Sequence, residues 1–211
     1  MEPLIKVEGI AAPLPIDNID TDAIIPSRET RSVTRTGYAE KLFANWRYEP
    51  GTRLVKPDFI LNKEPYSCAK FLVAGANFGC GSSREAAVWS LVQFGIRCVI
   101  AESYGAIFYN NCVRNGLLPT VLSKQEIAVI LDYIDNCDSE PKITLDLEQC
   151  VILVGEHSFS FEVDPRDREM LLRGADEIEM TLRQRDKIDR FRDADRQARP
   201  WLYQPRKHQN S

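Results

Sequence analysis

Three short apolar segments separated by helical patterns constrain the fold of this chain more than any other feature. The segments are FLVAG at 71–75, IRCVIA at 96–101 and LLPTVL at 117–122, and each has the length and apolarity of a buried strand. Helical patterns at 83–94 and 104–115 lie between them. Gly95 and Gly116 follow these patterns, and glycine suits the position just after a helix. Strands that alternate with helices in this way predict a parallel sheet with right-handed crossovers.

The segments that follow predict a different kind of sheet. Ser123 and Glu126 form a capping-box pattern before a helix whose apolar positions share one face; these positions are Ile127, Ile130, Leu131 and Ile134. Residues 142–149 and 151–163 then alternate between apolar and polar positions, with a turn signal at Gly155, which indicates antiparallel hairpins. The sequence therefore predicts an α/β fold in which a parallel sheet and a smaller antiparallel sheet coexist.

The C-terminal part of the sequence is helical and highly charged. Asp164 and Pro165 suit the start of a helix that reaches Arg173 and stops at Gly174. A second, charged helix is predicted over 176–198, either as a solvated helix or as a docking helix, because its apolar positions are sparse. We expect a first domain over 1–165, and a helical extension with a tail over 166–211.

Composition excludes several classes of function. A net charge of -4 argues against a nucleic-acid partner, because phosphate binding requires clustered basic residues. No apolar run approaches the ~20 residues of a membrane span, and the N-terminal residues do not resemble a secretory signal, so we expect a cytoplasmic protein. The six cysteines include no C-x-x-C pair and only two histidines accompany them, so we expect reduced thiols and no metal bound by this chain.

The segment GANFGCGSSREAAVWSL at 75–91 is the strongest candidate for a binding site. It leaves a predicted strand and enters a predicted helix, so its backbone amides and the positive end of the helix dipole favour an anion. The segment contains no lysine for a Walker A loop, and Arg84 replaces the third glycine of a dinucleotide-binding fingerprint. We expect Arg84 in the first turn of the helix, where a bound carboxylate would neutralise it.

The two serines of this segment have alternative interpretations. Serine is a preferred N-cap, so either Ser82 or Ser83 could cap the helix. Only one of them can do so, which leaves the other free to act on a ligand beside amides that stabilise negative charge. Cys80 is an alternative nucleophile at a helix terminus, although no histidine neighbours it in the sequence.

Two motifs carry a resemblance to a known family. NFGCGSSRE at 77–85 and NIDTDAIIP at 18–26 resemble the small subunit of 3-isopropylmalate dehydratase, a relative of the mobile C-terminal domain of aconitase. Further similar segments are VTRTGYAEKLFANWR at 33–47, PDFILN at 57–62 and IFYNNCVRNGLLP at 107–119. The resemblance covers most of residues 3–165.

The resemblance implies a swivelling β/β/α domain and a hydro-lyase reaction. Members of the family remove water from a small hydroxy dicarboxylic acid and add it back at the neighbouring carbon. They use a 4Fe-4S cluster that a separate large subunit carries. The resemblance therefore implies a large-subunit partner and no cofactor bound by this chain.

The resemblance also implies roles for individual residues. Ser82 is similar to the general base that takes the substrate proton, while Ser83 and Arg84 hold a substrate carboxylate. The remaining substrate-binding candidates are Gly81, which permits close backbone approach, Asp20, Thr21 and Asp22 at the floor of the site, and Arg31 and Arg35 in the following loop. For the aspartates, capping and turn roles remain open, and for the arginines so does a surface role. A calcium-binding EF-hand loop is excluded because the required Gly and final Glu are missing.

Three residues differ from the usual pattern of the family. Ala86 stands where a histidine is usual, and polar Glu29 and Thr30 stand where isopropylmalate enzymes tend to have an aromatic and an aliphatic residue. Because an isopropyl group favours apolar contacts, a related hydro-lyase of methylmalate, citraconate or dimethylmalate is an alternative function. A non-catalytic binding module is a second alternative.

Overall fold

The chain folds into an α/β unit and a helical unit. The computed structural model describes residues 1–30, 35–137 and 139–203. Contacts within the chain divide it into two compact units, of which the first comprises Met1–Gly174 and the second begins at Ala175. The first unit contains a mixed sheet with helices, and the described part of the second is helical. This architecture confirms the predicted fold class with its helical C-terminal extension.

A single curled sheet organises the first unit. Its strands are β1 Lys6–Leu14, β2 Phe71–Ala74, β3 Cys98–Ala101, β4 Leu118–Val121, β5 Lys142–Asp146, β6 Val151–Val154 and β7 His157–Ser160. They are arranged in the order β4-β3-β2-β1-β5-β6-β7. The pairs from β4 to β1 are parallel, whereas the pairs from β1 to β7 are antiparallel. Both predicted kinds of sheet are therefore present, and strand β1 belongs to both.

Strand β1 joins the two kinds of sheet, and sequence analysis missed it. Its first half, Lys6 to Ile10, pairs antiparallel with β5, and its second half, from Ala11, pairs in parallel with β2. The strand contains Gly9 and Pro13, two residue types that are depleted in strands and obscure the pattern. Tertiary pairing on both sides overrides this weak local preference.

The helices lie between and after the strands as the sequence predicts. The α-helices are α1 Thr21–Ile24, α2 Ala44–Arg47, α3 Glu85–Phe94, α4 Ala106–Arg114, α5 Lys124–Asn136, α6 Pro165–Arg173, α7 Glu177–Leu182 and α8 Arg185–Ala198. Short 3-10 helices lie at Ser27–Thr30, Ala39–Lys41, Ile60–Asn62, Tyr66–Cys68 and Pro200–Tyr203. The capping box of Ser123 and Glu126 is present at the start of α5, and Gly174 ends α6 in the left-handed conformation.

The parallel strands separate two hydrophobic clusters. In β2, Leu72 and Ala74 belong to one cluster, and Phe71 and Val73 belong to the other. This split follows from the alternation of side chains along a strand. All four residues of β2 are fully buried, as expected for a central parallel strand covered on both faces.

The division between the two units comes later in the chain than the predicted boundary after residue 165. Helix α6 belongs to the first unit because Leu171 is fully buried in its core. The Leu171 carbonyl accepts a hydrogen bond from the Leu4 amide at 2.9 Å, and Arg168 Nε donates to the Leu147 carbonyl at 3.0 Å. Helix α6 is therefore fixed by main-chain as well as side-chain contacts.

The described part of the second unit contains two α-helices where the sequence predicts one. The predicted helix over 176–198 is interrupted between α7 and α8, because Gln184, with φ -90° and ψ 9°, leaves the helical conformation. Asp176 forms a capping box with Glu179 at the start of α7. In the part of the chain that the structure describes, no helix combines the length and apolarity that crossing a membrane requires.

Truncation of Leu171 tests whether α6 is part of the core. Leu171→Ala removes a fully buried side chain, so we expect it to lower the free energy of unfolding by about 2–5 kcal/mol. Leu182→Ala is the matched control, because Leu182 is 59% exposed, and it should change this free energy by less than about 0.5 kcal/mol. Urea denaturation measures both values. Equal small effects would mean that α6 is not held by the core.

Candidate functional site

Three loops meet at the carboxyl ends of the parallel strands. Residues 15–20 follow β1, residues 75–84 follow β2, and residues 102–105 follow β3. Isolated parallel bridges join Asp20 to Cys80 and Phe78 to Tyr104, so the loop after β2 lies between the other two. This edge is the usual location of ligand sites in open parallel sheets. We call residues 75–84 the glycine-serine loop.

Glycines allow the glycine-serine loop to pack tightly against its neighbours. Gly79 adopts a φ of +70°, and its amide donates to the Ile19 carbonyl at 2.7 Å. A Cβ atom on Gly79 would lie 2.2 Å from Cγ of Phe108, and one on Gly105 would lie 2.6 Å from the Gly79 carbonyl oxygen. Larger residues at these two positions would therefore force the loops apart.

Polar side chains that sequence analysis did not select also hold the loop. Asp17 Oδ1 accepts a hydrogen bond from the Ala76 amide at 2.7 Å. Asn77 donates from Nδ2 to Asn18 Oδ1 at 2.8 Å and from its amide to Ser103 Oγ at 2.8 Å. Asn18 and Asn77 both have a φ of 56°, a conformation that asparagine tolerates better than most residues. Asn18 and Asn77 are the first residues of the two motifs, and this placement was the sequence signal for their role in the loop.

The structure overturns the capping interpretation of the serines. Helix α3 begins at Glu85, so the expected start at Ser83 is wrong, and Arg84 is the N-cap residue rather than a first-turn residue. Arg84 is extended, with φ -115° and ψ 99°, and no side chain caps the helix. The loop is instead joined to α1, where Thr21 Oγ1 donates a hydrogen bond to the Ser82 carbonyl at 3.0 Å.

Ser82 and Ser83 are both exposed at the uncapped N-terminus of α3. Neither hydroxyl has a hydrogen-bond partner among the described residues. Gly81 beside them is also exposed, with a φ of +89°. The surface is thus open to a ligand, and the helix dipole favours negative charge there.

Arg84 is held by groups that follow β1. Its Nη1 donates to Asp22 Oδ1 and, at 3.3 Å, to the Ile25 carbonyl, while Ser27 Oγ donates to the same Asp22 oxygen at 3.0 Å. The hydrogen bond from Arg84 lowers the pKa of the Asp22 carboxyl below its ordinary value, and the bond from Ser27 acts in the same direction. Asp22 is therefore ionised at neutral pH and fixes one corner of the guanidinium.

The Nη2 and Nε groups of Arg84 are not used by these two contacts. Both contacts use Nη1, so Nη2 and Nε have no hydrogen-bond partner within the described ranges. The Arg84 side chain is 21% exposed. A guanidinium fixed in this way can present two parallel donors to a carboxylate.

Asp20 and Thr21 have structural roles that the structure defines directly. Asp20 is the N-cap of α1, where its Oδ1 accepts from the Ala23 amide at 2.7 Å. Thr21 is 1% exposed and ties α1 to Ser82. The capping interpretation of Asp20 is confirmed, whereas a substrate contact of either residue stays a prediction.

The other arginine candidates lie apart from these contacts or outside the described chain. The Arg35 guanidinium stacks over the Trp89 ring at 4.8 Å from its centroid, and the Arg35 carbonyl accepts from Gln93 Nε2 at 2.6 Å. Arg31 lies outside the described residues. Ala86, which replaces the usual histidine, is half-buried in the first turn of α3 and packs against the core.

The described residues do not form a metal site. Within 1–30, 35–137 and 139–203, no group of three or more His, Cys, Asp or Glu side chains is arranged to hold a metal ion. Cys80 is the cysteine of the glycine-serine loop, and it is half-buried. An iron-sulfur cluster, which needs several thiolate ligands, therefore does not fit this part of the chain.

Comparisons with known proteins find a matching family model and similar curated proteins. The family model of the aconitase C-terminal domain matches residues 1–125. The 3-isopropylmalate dehydratase small subunit of Cupriavidus necator is 50% identical over 208 residues, covering 96% of this chain and 99% of that protein. The small subunit of Paramagnetospirillum magneticum is 48% identical over 203 residues, covering 96% of this chain and 100% of that protein.

A solved structure shows the same fold. The crystal structure of 3-isopropylmalate dehydratase from Methanocaldococcus jannaschii matches with a TM-score of 0.63 and 27% sequence identity. The match covers 88% of this chain and 99% of that chain. The bacterial relatives, in contrast, align over nearly the whole chain, so their similarity extends into the C-terminal unit.

Substitution of Gly79 tests the close packing of the loops. Gly79→Ala places an alanine in the left-handed conformation and also creates a clash with Phe108. Gly51→Ala creates only the conformational strain, because Gly51 has a φ of +72° and open space around it. We expect Gly51→Ala to lower the free energy of unfolding by about 1 kcal/mol and Gly79→Ala to lower it by about 1–3 kcal/mol more. Thermal or urea denaturation measures the difference. Equal losses would argue against the tight approach of the loops.

Proposed function

The chain belongs to the aconitase C-terminal domain family and, within it, to the 3-isopropylmalate dehydratase small subunits, and from this premise we propose that it is the small subunit of such a dehydratase. It interconverts 2-isopropylmalate and 3-isopropylmalate by dehydration and rehydration, a step of leucine biosynthesis in the cytoplasm. It works with a large subunit that carries a 4Fe-4S cluster. The names of its relatives support the small-subunit role.

The juxtaposition of Ser82 and Arg84 carries this proposal. Both residues lie on the glycine-serine loop at the N-terminus of α3, one with a free hydroxyl and the other with free guanidinium donors. A hydroxy dicarboxylic acid needs a cationic group for a carboxylate and a base for a carbon-bound proton. This loop supplies both kinds of group within three consecutive positions of the chain.

Ser82 is the general base of the proposal. A serine oxygen takes a proton only if its alkoxide form is stabilised, and helix α3, whose N-terminus is uncapped, begins three residues after Ser82. The proton leaves the carbon of the substrate for Ser82 Oγ during dehydration and returns from it during hydration. Ser82 is exposed in this chain, so exclusion of water from the base requires the partner subunit.

Arg84 is the carboxylate clamp. Asp22 and the Ile25 carbonyl hold Nη1, which leaves Nη2 and Nε to grip a substrate carboxylate in bidentate form. Ser83 supplies a further hydroxyl beside the clamp, and Gly81 lets the substrate approach the backbone. Thr21 acts on the site by holding α1 against the loop, and Asp20 does so by capping α1.

The large subunit supplies the Lewis acid of the reaction. Loss of a hydroxyl group as hydroxide requires a Lewis acid, and the cluster supplies it when bound. The described residues of this chain form no ligand set for a metal. The cluster is therefore assigned to the partner.

Reconstitution with the large subunit tests the proposal. The complex is assayed on 3-isopropylmalate, citraconate and dimethylmalate, and the absorbance of the unsaturated compound is followed. We expect the highest kcat/KM with isopropylmalate. A preference for citraconate or dimethylmalate would assign the chain to a related hydro-lyase, and inactivity on all three compounds would favour a binding module.

Removal of the Ser82 hydroxyl tests the base assignment. Ser82→Ala should lower kcat by a factor of about 100 or more, because no other group takes the proton, while assembly with the large subunit remains intact. Ser158→Ala is the matched control, since Ser158 is an exposed serine on β7, the outermost strand of the antiparallel part of the sheet. Near-normal turnover of Ser82→Ala would refute the assignment.

A further inference from the structure

We propose that Arg53 is a positioning residue of the substrate site, because its ion pair with Glu29 fixes the segment that holds Arg84. This inference rests on the proposed function. Arg53 lies on a turn, residues 49–55, which none of the sequence motifs includes. Glu29 lies in the 3-10 helix Ser27–Thr30, which follows the Asp22 motif.

The ion pair is short and its carboxylate is largely buried. Arg53 Nη2 lies 2.6 Å from Glu29 Oε2, and the Glu29 side chain is 13% exposed. Arg28 Nε approaches the other oxygen, Oε1, only at the longer distance of 3.5 Å, and both arginine side chains are about half exposed, at 50% for Arg53 and 55% for Arg28. Arg53 is therefore the main partner of a carboxylate that water reaches poorly.

The turn holds Arg53 in one orientation. The turn is closed by an antiparallel bridge between Tyr48 and Val55 and by a hydrogen bond from the Glu49 amide to the Leu54 carbonyl at 2.9 Å. The Arg53 guanidinium lies 5.1 Å from the Tyr48 ring centroid, and its Nη1 donates to the Glu40 carbonyl at 3.1 Å. These contacts fix the guanidinium before it meets Glu29.

The same 3-10 helix is linked to Arg84. The Glu29 amide donates to the Pro26 carbonyl at 2.8 Å, so a shift of Glu29 moves the backbone beside Ser27. Ser27 Oγ donates to Asp22, which accepts from Arg84. The second contact of Arg84 is the Ile25 carbonyl. Both groups that hold Arg84 therefore adjoin the segment that Arg53 fixes.

Loss of the Arg53 charge weakens substrate binding, as does loss of its contact with Glu29. Without Arg53, the Glu29 carboxylate would keep only the more distant Arg28 as an ion-pair partner among the described residues, and its negative charge would be less neutralised. A dianionic substrate would bind less well to a site with more negative charge nearby. Both effects weaken substrate binding and leave the Ser82 base in place, so KM should rise while kcat is maintained.

The test uses the reconstituted two-subunit complex and three variants, Arg53→Gln, Glu29→Gln and the double variant. Arg53→Gln should raise the KM for isopropylmalate by about three- to fivefold with kcat within about twofold, as expected for a partly exposed ion pair. Glu29→Gln loses the same ion pair but also removes a negative charge, so its KM should rise by less than that of Arg53→Gln. The double variant should be no worse than Arg53→Gln, because the two residues act as one unit. Arg173→Gln is the matched control, since Arg173 pairs with Glu169 at 2.9 Å with a similarly exposed guanidinium.

Hydrogen exchange of the isolated chain provides a readout that is independent of turnover. Arg53→Gln should accelerate amide exchange in residues 25–30, and Arg173→Gln should not. An unchanged KM of Arg53→Gln, additive losses in the double variant, or unchanged exchange would overturn the proposal. If the wild-type complex does not act on isopropylmalate, the proposed function fails, while the exchange result still decides whether Arg53 fixes this segment.

Discussion

The pairing of β1 with two different neighbours is the constraint on which the site depends. One half of this strand extends a parallel sheet and the other half starts an antiparallel one. Because β1, β2 and β3 run in parallel, their carboxyl ends meet at one edge, and three loops of the chain are brought together there. Gly81, Ser82 and Ser83 are exposed at this edge, where a ligand can reach them.

Backbone geometry and charge then act together at this edge. Gly79 and Gly105 let the loops approach closely, and side-chain hydrogen bonds of Asp17 and Asn77 join the loops to one another. The result is a helix N-terminus without a side-chain cap, preceded on the same loop by an arginine whose position an aspartate fixes. Each feature alone is common in proteins. Their combination beside two exposed serines favours a carboxylate ligand.

The sequence predicted the fold well where patterns are local and poorly where partners are distant. The strands β2 to β4 and the helices between them were evident, because buried parallel strands read as apolar runs and glycines end the helices. Strand β1 was missed, since Gly9 and Pro13 break its pattern and long-range pairing forms it. The motif located the serines, but spacing alone does not reveal that α3 begins only at Glu85 or that Thr21 binds the Ser82 carbonyl.

The most direct measurement of the central claim is the KM of the reconstituted complex carrying Arg84→Lys. A lysine keeps the charge but cannot offer the two parallel donors that Asp22 leaves free on the guanidinium. The account predicts a KM for isopropylmalate that rises about tenfold, which corresponds to one charge-assisted hydrogen bond, with assembly intact. An unchanged KM and an unchanged kcat would contradict the clamp and the site built around it.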